Sequence, residues 1–212
     1  MKKLLALTLA ILMVFSLTAC STLLDQFGAL TGKKFERGTV SGRKYESNFI
    51  GIGCELSAEW QYKSDAEIKE MNNIVSDMID EEIAEAMEEG AVLYDMMAIS
   101  SNGRDNILVT LEKVNPVALK KLDISKNFEK AYASVASSFQ NMGYIDVKHT
   151  ISTGSIDGQS FEIMKITGRI NGLNMYQVNF CVKCNGYLAS VAITTMGADR
   201  TADLMQTFYI ID

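Results

Sequence analysis

The chain has one proline and one histidine in 212 residues, and no apolar run of membrane-spanning length beyond residue 20. A single proline rules out a Pro-rich linker. With no second run of about 18 apolar residues, no transmembrane helix is expected in the body of the chain. Basic stripes are missing as well. With 20 Lys and Arg against 26 Asp and Glu, the formal charge is −6, which argues against nucleic-acid binding. There is no Gly-rich phosphate loop and no Gly-x-Ser-x-Gly elbow. An EF-hand is excluded because no Asp-x-Asp-x-Asp-Gly loop occurs. Gly51-Ile52-Gly53 falls inside a strand-like stretch rather than before a helix, so it is no dinucleotide signal. No internal repeat or low-complexity segment stands out.

What is present begins at the first residue. Lys2 and Lys3 precede fourteen residues, Leu4 to Leu17, that are apolar but for two Thr/Ser interruptions. That is short of the roughly 20 needed to span a bilayer, and it suits a secretory signal peptide. The run stops at Leu17-Thr18-Ala19-Cys20. This resembles the bacterial lipobox, in which a Leu, small residues and a Cys are read together. The resemblance implies a diacylglyceryl thioether on Cys20 and cleavage between Ala19 and Cys20. It also leaves the new amine open to acylation. The chemistry suits the residues, since a thiol is the nucleophile and small neighbours admit the backbone to the processing sites. Two or three acyl chains hold a protein to a membrane far more firmly than one. Loss of the leader with its two lysines leaves 193 residues and takes the formal charge from −6 to −8.

Residues 1–19 are therefore read as a lipoprotein signal peptide, 20–37 as a lipidated N-terminus and tether, and 38–212 as one globular domain. A hydrophobic content of 48% supports one core. Strand-like RKYES and FIGIGCEL open the domain. A long helix follows over residues 63–90, with Ser64 and Glu67 spaced as a capping box and apolar residues recurring at three and four. Two strands joined by SNGRD come next. Asn115-Pro116 breaks the pattern and a connector leads to a second amphipathic helix, marked by Phe128, Tyr132, Val135, Phe139 and Met142. Strands near 144–155, 160–170, 173–184 and 187–196 are separated by Asp157-Gly158, Asn171-Gly172 and Asn185-Gly186. Each pair suits a two-residue type I′ turn. Taken literally, these turns pair Cys184 with Tyr187, Phe180 with Val191 and Ile163 with Phe180. They also set His149 level with Ile166, Gln177 and Thr194. One face then carries Phe161, Ile163, Tyr176, Val178, Phe180, Val182, Val191 and Ile193. A last helix is expected over Arg200–Phe208. The order predicts an α+β fold, an antiparallel sheet with helices on both faces.

The opening of the domain carries a second resemblance. Gly38, Tyr45, Ser47, Phe49, Gly51, Ile52, Trp60, Tyr62, Ser64 and Asp65 match the pattern of a group of bacterial lipoproteins with the PsbP-like fold. Leu56-Ser57-Ala58-Glu59-Trp60 stands where that group has Leu-Pro-x-x-Trp. The resemblance covers about thirty residues and implies an α/β/α sandwich and an outer location. It implies no chemistry, because fold alone does not transfer function.

Candidate reactive groups are few. Cys54, Cys181 and Cys184 remain after Cys20, which allows at most one internal disulfide. Cys181-Val182-Lys183-Cys184 reads as strand. Residues three apart there face opposite ways about 10 Å apart, so those two thiols are not expected to bond; a bridge from Cys54 to either stays open. His149 is expected to be half-buried among Ile145, Val147 and Ile151. The register sets it too far from Cys181 for a Cys-His pair or a zinc site. Along the first helix, Asp77, Glu81, Glu82, Glu85, Glu88 and Glu89 form an acidic face, either solvated or a patch for cations or a basic partner. Like charges at i,i+4 are mildly unfavourable in a helix.

The sequence thus points to a membrane-anchored extracytoplasmic lipoprotein of a bacterial cell envelope, attached through Cys20. Its domain is expected to be a non-catalytic binding or accessory module of unidentified partner, with no cofactor, no metal and no nucleic acid. The alternatives are a hydrolytic enzyme using Gln177, Asn179 and Thr194 on the second sheet face, or a carrier of an apolar ligand beneath the helices.

Overall fold

Alternating burial along four long strands and three Asn/Asp-Gly turns organise the structure. A computed structural model describes residues 36–72 and 92–211. The leader, the tether to residue 35 and the acidic face from Asp77 to Glu89 lie outside the described residues.

Among the described residues eleven strands and four helices follow in this order: β1 (Thr39–Ser41), β2 (Lys44–Ser47), β3 (Ile52–Glu55), β4 (Trp60–Tyr62), α1 (Asp65–Met71), β5 (Val92–Ser100), β6 (Asn106–Lys113), α2 (Pro116–Lys121), α3 (Ile124–Asn141), β7 (Ile145–Ile156), β8 (Gln159–Ile170), β9 (Leu173–Cys184), β10 (Tyr187–Met196), α4 (Thr201–Met205) and β11 (Phe208–Ile210). They form a seven-stranded sheet ordered β4-β5-β6-β10-β9-β8-β7 and a four-stranded sheet ordered β1-β2-β3-β11. Every pairing is antiparallel.

The three turns act as their dipeptides dictate. Asp157, Asn171 and Asn185 have φ of 50, 49 and 43°, and the glycines after them 78, 79 and 87°. Two successive positive φ values are what a type I′ turn requires. The register that follows pairs Cys184 with Tyr187, Phe180 with Val191, Ile163 with Phe180 and His149 with Ile166.

One face of the large sheet, face A, presents Val178, Phe180, Val191 and Ile193, all buried, with Phe161, Ile163 and Val182 packed against them. Tyr45, Ile52 and Phe208 of the small sheet close over this face. Phe180 makes edge-on contacts with Phe161 at 5.7 Å and Phe208 at 5.6 Å, the arrangement that aromatic quadrupoles favour. Met205 of α4 joins the same cluster. On face B, Phe128, Val135 and Phe139 of α3 pack on Met164, Ile166 and Met175. Ile68 of α1 packs on Met97 and Leu108.

Helices therefore lie on both faces, but unequally. Face A is covered mainly by the second sheet, with α4 contributing five residues. Sequence periodicity misses this second sheet because its edge strands β1 and β11 are three residues each, too short to display alternation. The final helix ends at Met205 rather than Phe208, which opens β11 and pairs with Cys54. The connector after Asn115 is itself helical. Pro116 stands at its first position, and the Asn115 side chain accepts from Val117 and Ala118 N–H at 3.0 and 3.2 Å. Proline at that position gives up no helical hydrogen bond. The capping box of α1 is complete, and Lys63 with the Ser64 hydrogen bonds holds the Glu67 carboxyl down to about 2.

Candidate functional site

The residues of the opening motif each have a structural task. Ser47 accepts from Ile50 N–H at 3.3 Å. Phe49 packs edge-on against Tyr187 at 5.2 Å. Gly51 takes a φ of 83°, open to glycine at no steric cost. Trp60 pairs with Ser100, the Tyr62 hydroxyl donates to the Arg43 carbonyl at 3.0 Å, and Ser64 with Asp65 starts α1.

Gly38 and Tyr45 converge on a residue outside the motif, Asp95. A β-bulge between Tyr94 and Met96 inserts Asp95 as an extra residue in β5. Bulges re-aim a side chain out of strict alternation, and this one turns a carboxylate toward the core side of the small sheet. The Gly38 N–H donates to both Asp95 oxygens at 3.1 and 3.2 Å, and the Tyr45 hydroxyl donates to Oδ2. The Arg37 guanidinium reaches the Asp95 carbonyl at 3.4 Å. A Cβ on Gly38 would lie 2.3 Å from Tyr45 Cε2 and 2.8 Å from Asp95 Oδ2, so only glycine fits.

Asp95 is 4% exposed and Tyr45 fully buried. Burial raises the Asp95 pKa, against the lowering pull of Tyr45, Gly38 and Arg37. Burial and the neighbouring carboxylate push the Tyr45 phenol up as well. Both groups are shut off from solvent, and their bonds clasp residues 37–38 to the large sheet. The sequence offered one trace of it, an acidic residue in the apolar run VLYDMMAIS.

A second buried carboxylate, Asp105, is ion-paired with Arg200 and accepts from Met196 N–H at 2.8 Å. On face B, Gln177, Asn179 and Thr194 are 0–1% exposed. Thr194 donates to Gln177 at 3.2 Å, Gln177 to Asn179 at 2.8 Å and Asn179 to the Met164 carbonyl at 3.4 Å. The polar groups proposed for a hydrolytic site thus satisfy one another inside the sheet. Phe128, Phe139, Met164 and Ile166, all at 0% exposure, fill the space beneath α3 that a carried apolar ligand would need.

His149 is half-buried as expected. It stacks on Tyr132 with ring centroids 3.6 Å apart, and its Nε2 lies 3.1 Å from Glu129. Val147 and Ile151 share its face. Ile145 does not: Asp146, at φ 54° in a bulge, leaves Ile145 58% exposed. Cys54, Cys181 and Cys184 are all free and buried. Cys181 belongs to the face B core and Cys184 to the face A core, so no bridge joins them and none joins either to Cys54. Burial pushes the Cys54 thiol to about 11 and those of Cys181 and Cys184 to about 12, the state of inert structural thiols. Among the described residues no group of three or more His, Cys, Asp or Glu is placed to hold a metal ion. An open depression lined by Asp146, Lys148, Thr167, Arg169, Asn174 and Tyr176 lies at one end of the large sheet.

No protein-family model matches the sequence, and no curated protein matches it. Among solved structures, one from Bacteroides thetaiotaomicron overlaps 82% of this chain at 11% identity and a TM-score of 0.42. This chain covers 50% of that protein's length. LpqN of Mycobacterium tuberculosis, described as involved in cell envelope biogenesis, overlaps 76% of this chain and 83% of its own at 13% identity and a TM-score of 0.41. Overlap at this level assigns neither a fold family nor a function.

Proposed function

We propose that the chain is a lipoprotein of a bacterial cell envelope, cleaved between Ala19 and Cys20 and acylated on Cys20. Its domain is held on the extracytoplasmic side of the membrane as a non-catalytic binding or accessory module. The observation that carries this reading is the run LMVFSLTAC, preceded by Lys2 and Lys3 and ending on a thiol. The described domain is consistent with it, since its buried polar side chains on face B bond to one another and its thiols are shielded. The acidic run Asp77, Glu81, Glu82, Glu85, Glu88 and Glu89 is the proposed contact for a basic partner. The PsbP-like α/β/α sandwich belongs to the same proposal, supported by the motif from Gly38 to Asp65.

The natural protein should begin at Cys20 and carry an acyl mass there by intact-mass spectrometry. Cys20→Ser should leave the leader uncut or release the protein from membranes. A natural N-terminus elsewhere, or unchanged processing and fractionation in that variant, rejects the proposal. Crosslinking in whole cells, repeated with the six acidic residues replaced by their amides, identifies the partner and tests the acidic contact.

A further inference from the structure

Two of the four exposed large hydrophobic side chains among the described residues, Ile145 (58%) and Leu173 (37%), share one end of the large sheet. Ile145 is level with Arg169, and Leu173 pairs with Ile170 across the Asn171–Gly172 turn. Lys148, exposed just past the bulge three residues further along β7, is level with Thr167. The turn joining β5 to β6 emerges at the same end, because Asn106 is level with Thr194 and, through Gln177 and Ile166, with His149. That turn exposes Arg104.

The charge at this end runs against the charge of the chain. Asp146 is engaged by Arg169, whose Nε lies 3.0 Å from its carboxylate. Lys148 and Arg104 have no carboxylate partner among the described residues; Glu59, beside Trp60, is the opposing charge nearby. A formal charge of −6, or −8 once the leader is lost, repels anionic surfaces, so an end with two cations outside any ion pair and two exposed aliphatic side chains is the part that one would attract. Lys148 and Arg104 are separated by four strand spacings, roughly 20 Å. That spread fits a plane of charge better than one small anion in a pocket.

We propose that this end of the sheet docks on the headgroups of an anionic phospholipid bilayer. Lys148 and Arg104 meet the phosphates, and Ile145 and Leu173 enter the interfacial layer. The idea takes membrane proximity from the proposed Cys20 anchor. The sixteen residue steps from Cys20 to Glu36 reach at most about 55 Å when fully extended, enough to bring this end to the surface.

The test reconstitutes the natural full-length product into vesicles of phosphatidylcholine, alone or mixed with phosphatidylglycerol. A nitroxide is placed on Asn174→Cys at this end or on Gln159→Cys at the far end of β8; the native thiols are buried and stay unlabelled. In mixed vesicles, access of a water-soluble relaxation reagent to the label at 174 should fall about fivefold or more, since each basic residue near such a surface contributes about 1 kcal/mol. Access at 159 should not change. High salt, or Lys148→Glu with Arg104→Glu, should abolish the protection. Equal access at both labels, equal protection in phosphatidylcholine alone, or protection that survives the double variant overturns the docking face. The acyl mass of the same sample is read in parallel. If it is missing, the anchor reading fails, and protein added to vesicles still decides the docking face by its phosphatidylglycerol dependence.

Discussion

Asp95 shows how one carboxyl can tie a segment to a core at a pH-dependent cost. Its folded pKa lies above its ordinary value because it is buried. The folded protein therefore holds this proton more tightly than the unfolded chain does, which adds stability while the carboxyl is protonated. That contribution is complete below the unfolded value near 3.9 and is lost as pH rises through the raised folded value. Asp95→Asn cannot ionise, so wild type should lose stability relative to this variant as pH rises above about 4, as read by urea midpoints. Curves that run parallel with pH would show that burial does not govern this group. Tyr45→Phe removes a buried donor to the carboxylate and should cost about 1–3 kcal/mol. The three cysteines allow a simpler check. With thiols pushed to about 11 and 12, Cys54, Cys181 and Cys184 should resist a maleimide in the native protein at neutral pH and react fully after denaturation. Labelling of any of them without unfolding contradicts their placement in the core.

At the scale of elements, the β7–β10 meander was legible from sequence because turn chemistry and alternation agree. Asn171-Gly172 and Asn185-Gly186 set the register, and the buried parity of Val178, Phe180, Val191 and Ile193 follows. The two asparagine side chains differ in one bond: Asn185 Nδ2 donates to the Phe49 carbonyl at 2.9 Å. Both asparagines sit at positive φ, a conformation that costs other L-residues roughly 1–2 kcal/mol. Asn185→Ala should therefore destabilise by about 1 kcal/mol more than Asn171→Ala; equal losses in denaturant unfolding would deny the extra bond any weight. The small sheet was legible only at its centre, where RKYES and FIGIGCEL read as strands and hold β2 and β3. Its edges, Thr39–Ser41 and Phe208–Ile210, are shorter than any detectable period, and only tertiary pairing makes them strands. The Asp95 clasp was hidden for another reason. A bulge breaks the alternation that would otherwise assign the side chain to a face, so Gly38 and Tyr45 were visible as a motif while the residue they serve was not.

For the whole molecule, long-range ties decide stability. Arg200 neutralises Asp105, fully buried and 95 residues away in sequence. Arg200→Met should cost about 2 kcal/mol, less than the 3–5 kcal/mol of an entirely buried pair, because the Arg200 side chain is 44% exposed. Combining it with Asp105→Asn should recover part of that loss in a urea titration. The pairing of β6 with β10, which sets Asn106–Lys113 against Tyr187–Thr194, has a consequence for timing. The middle of the large sheet stays open until nearly the last strand has been made, and non-local closure of this kind is slow, on the order of milliseconds to seconds. A polypeptide threaded through a translocation pore must arrive unfolded. If the proposed leader directs export, this topology would keep the chain loose, its central seam completed only once β10 has emerged on the far side.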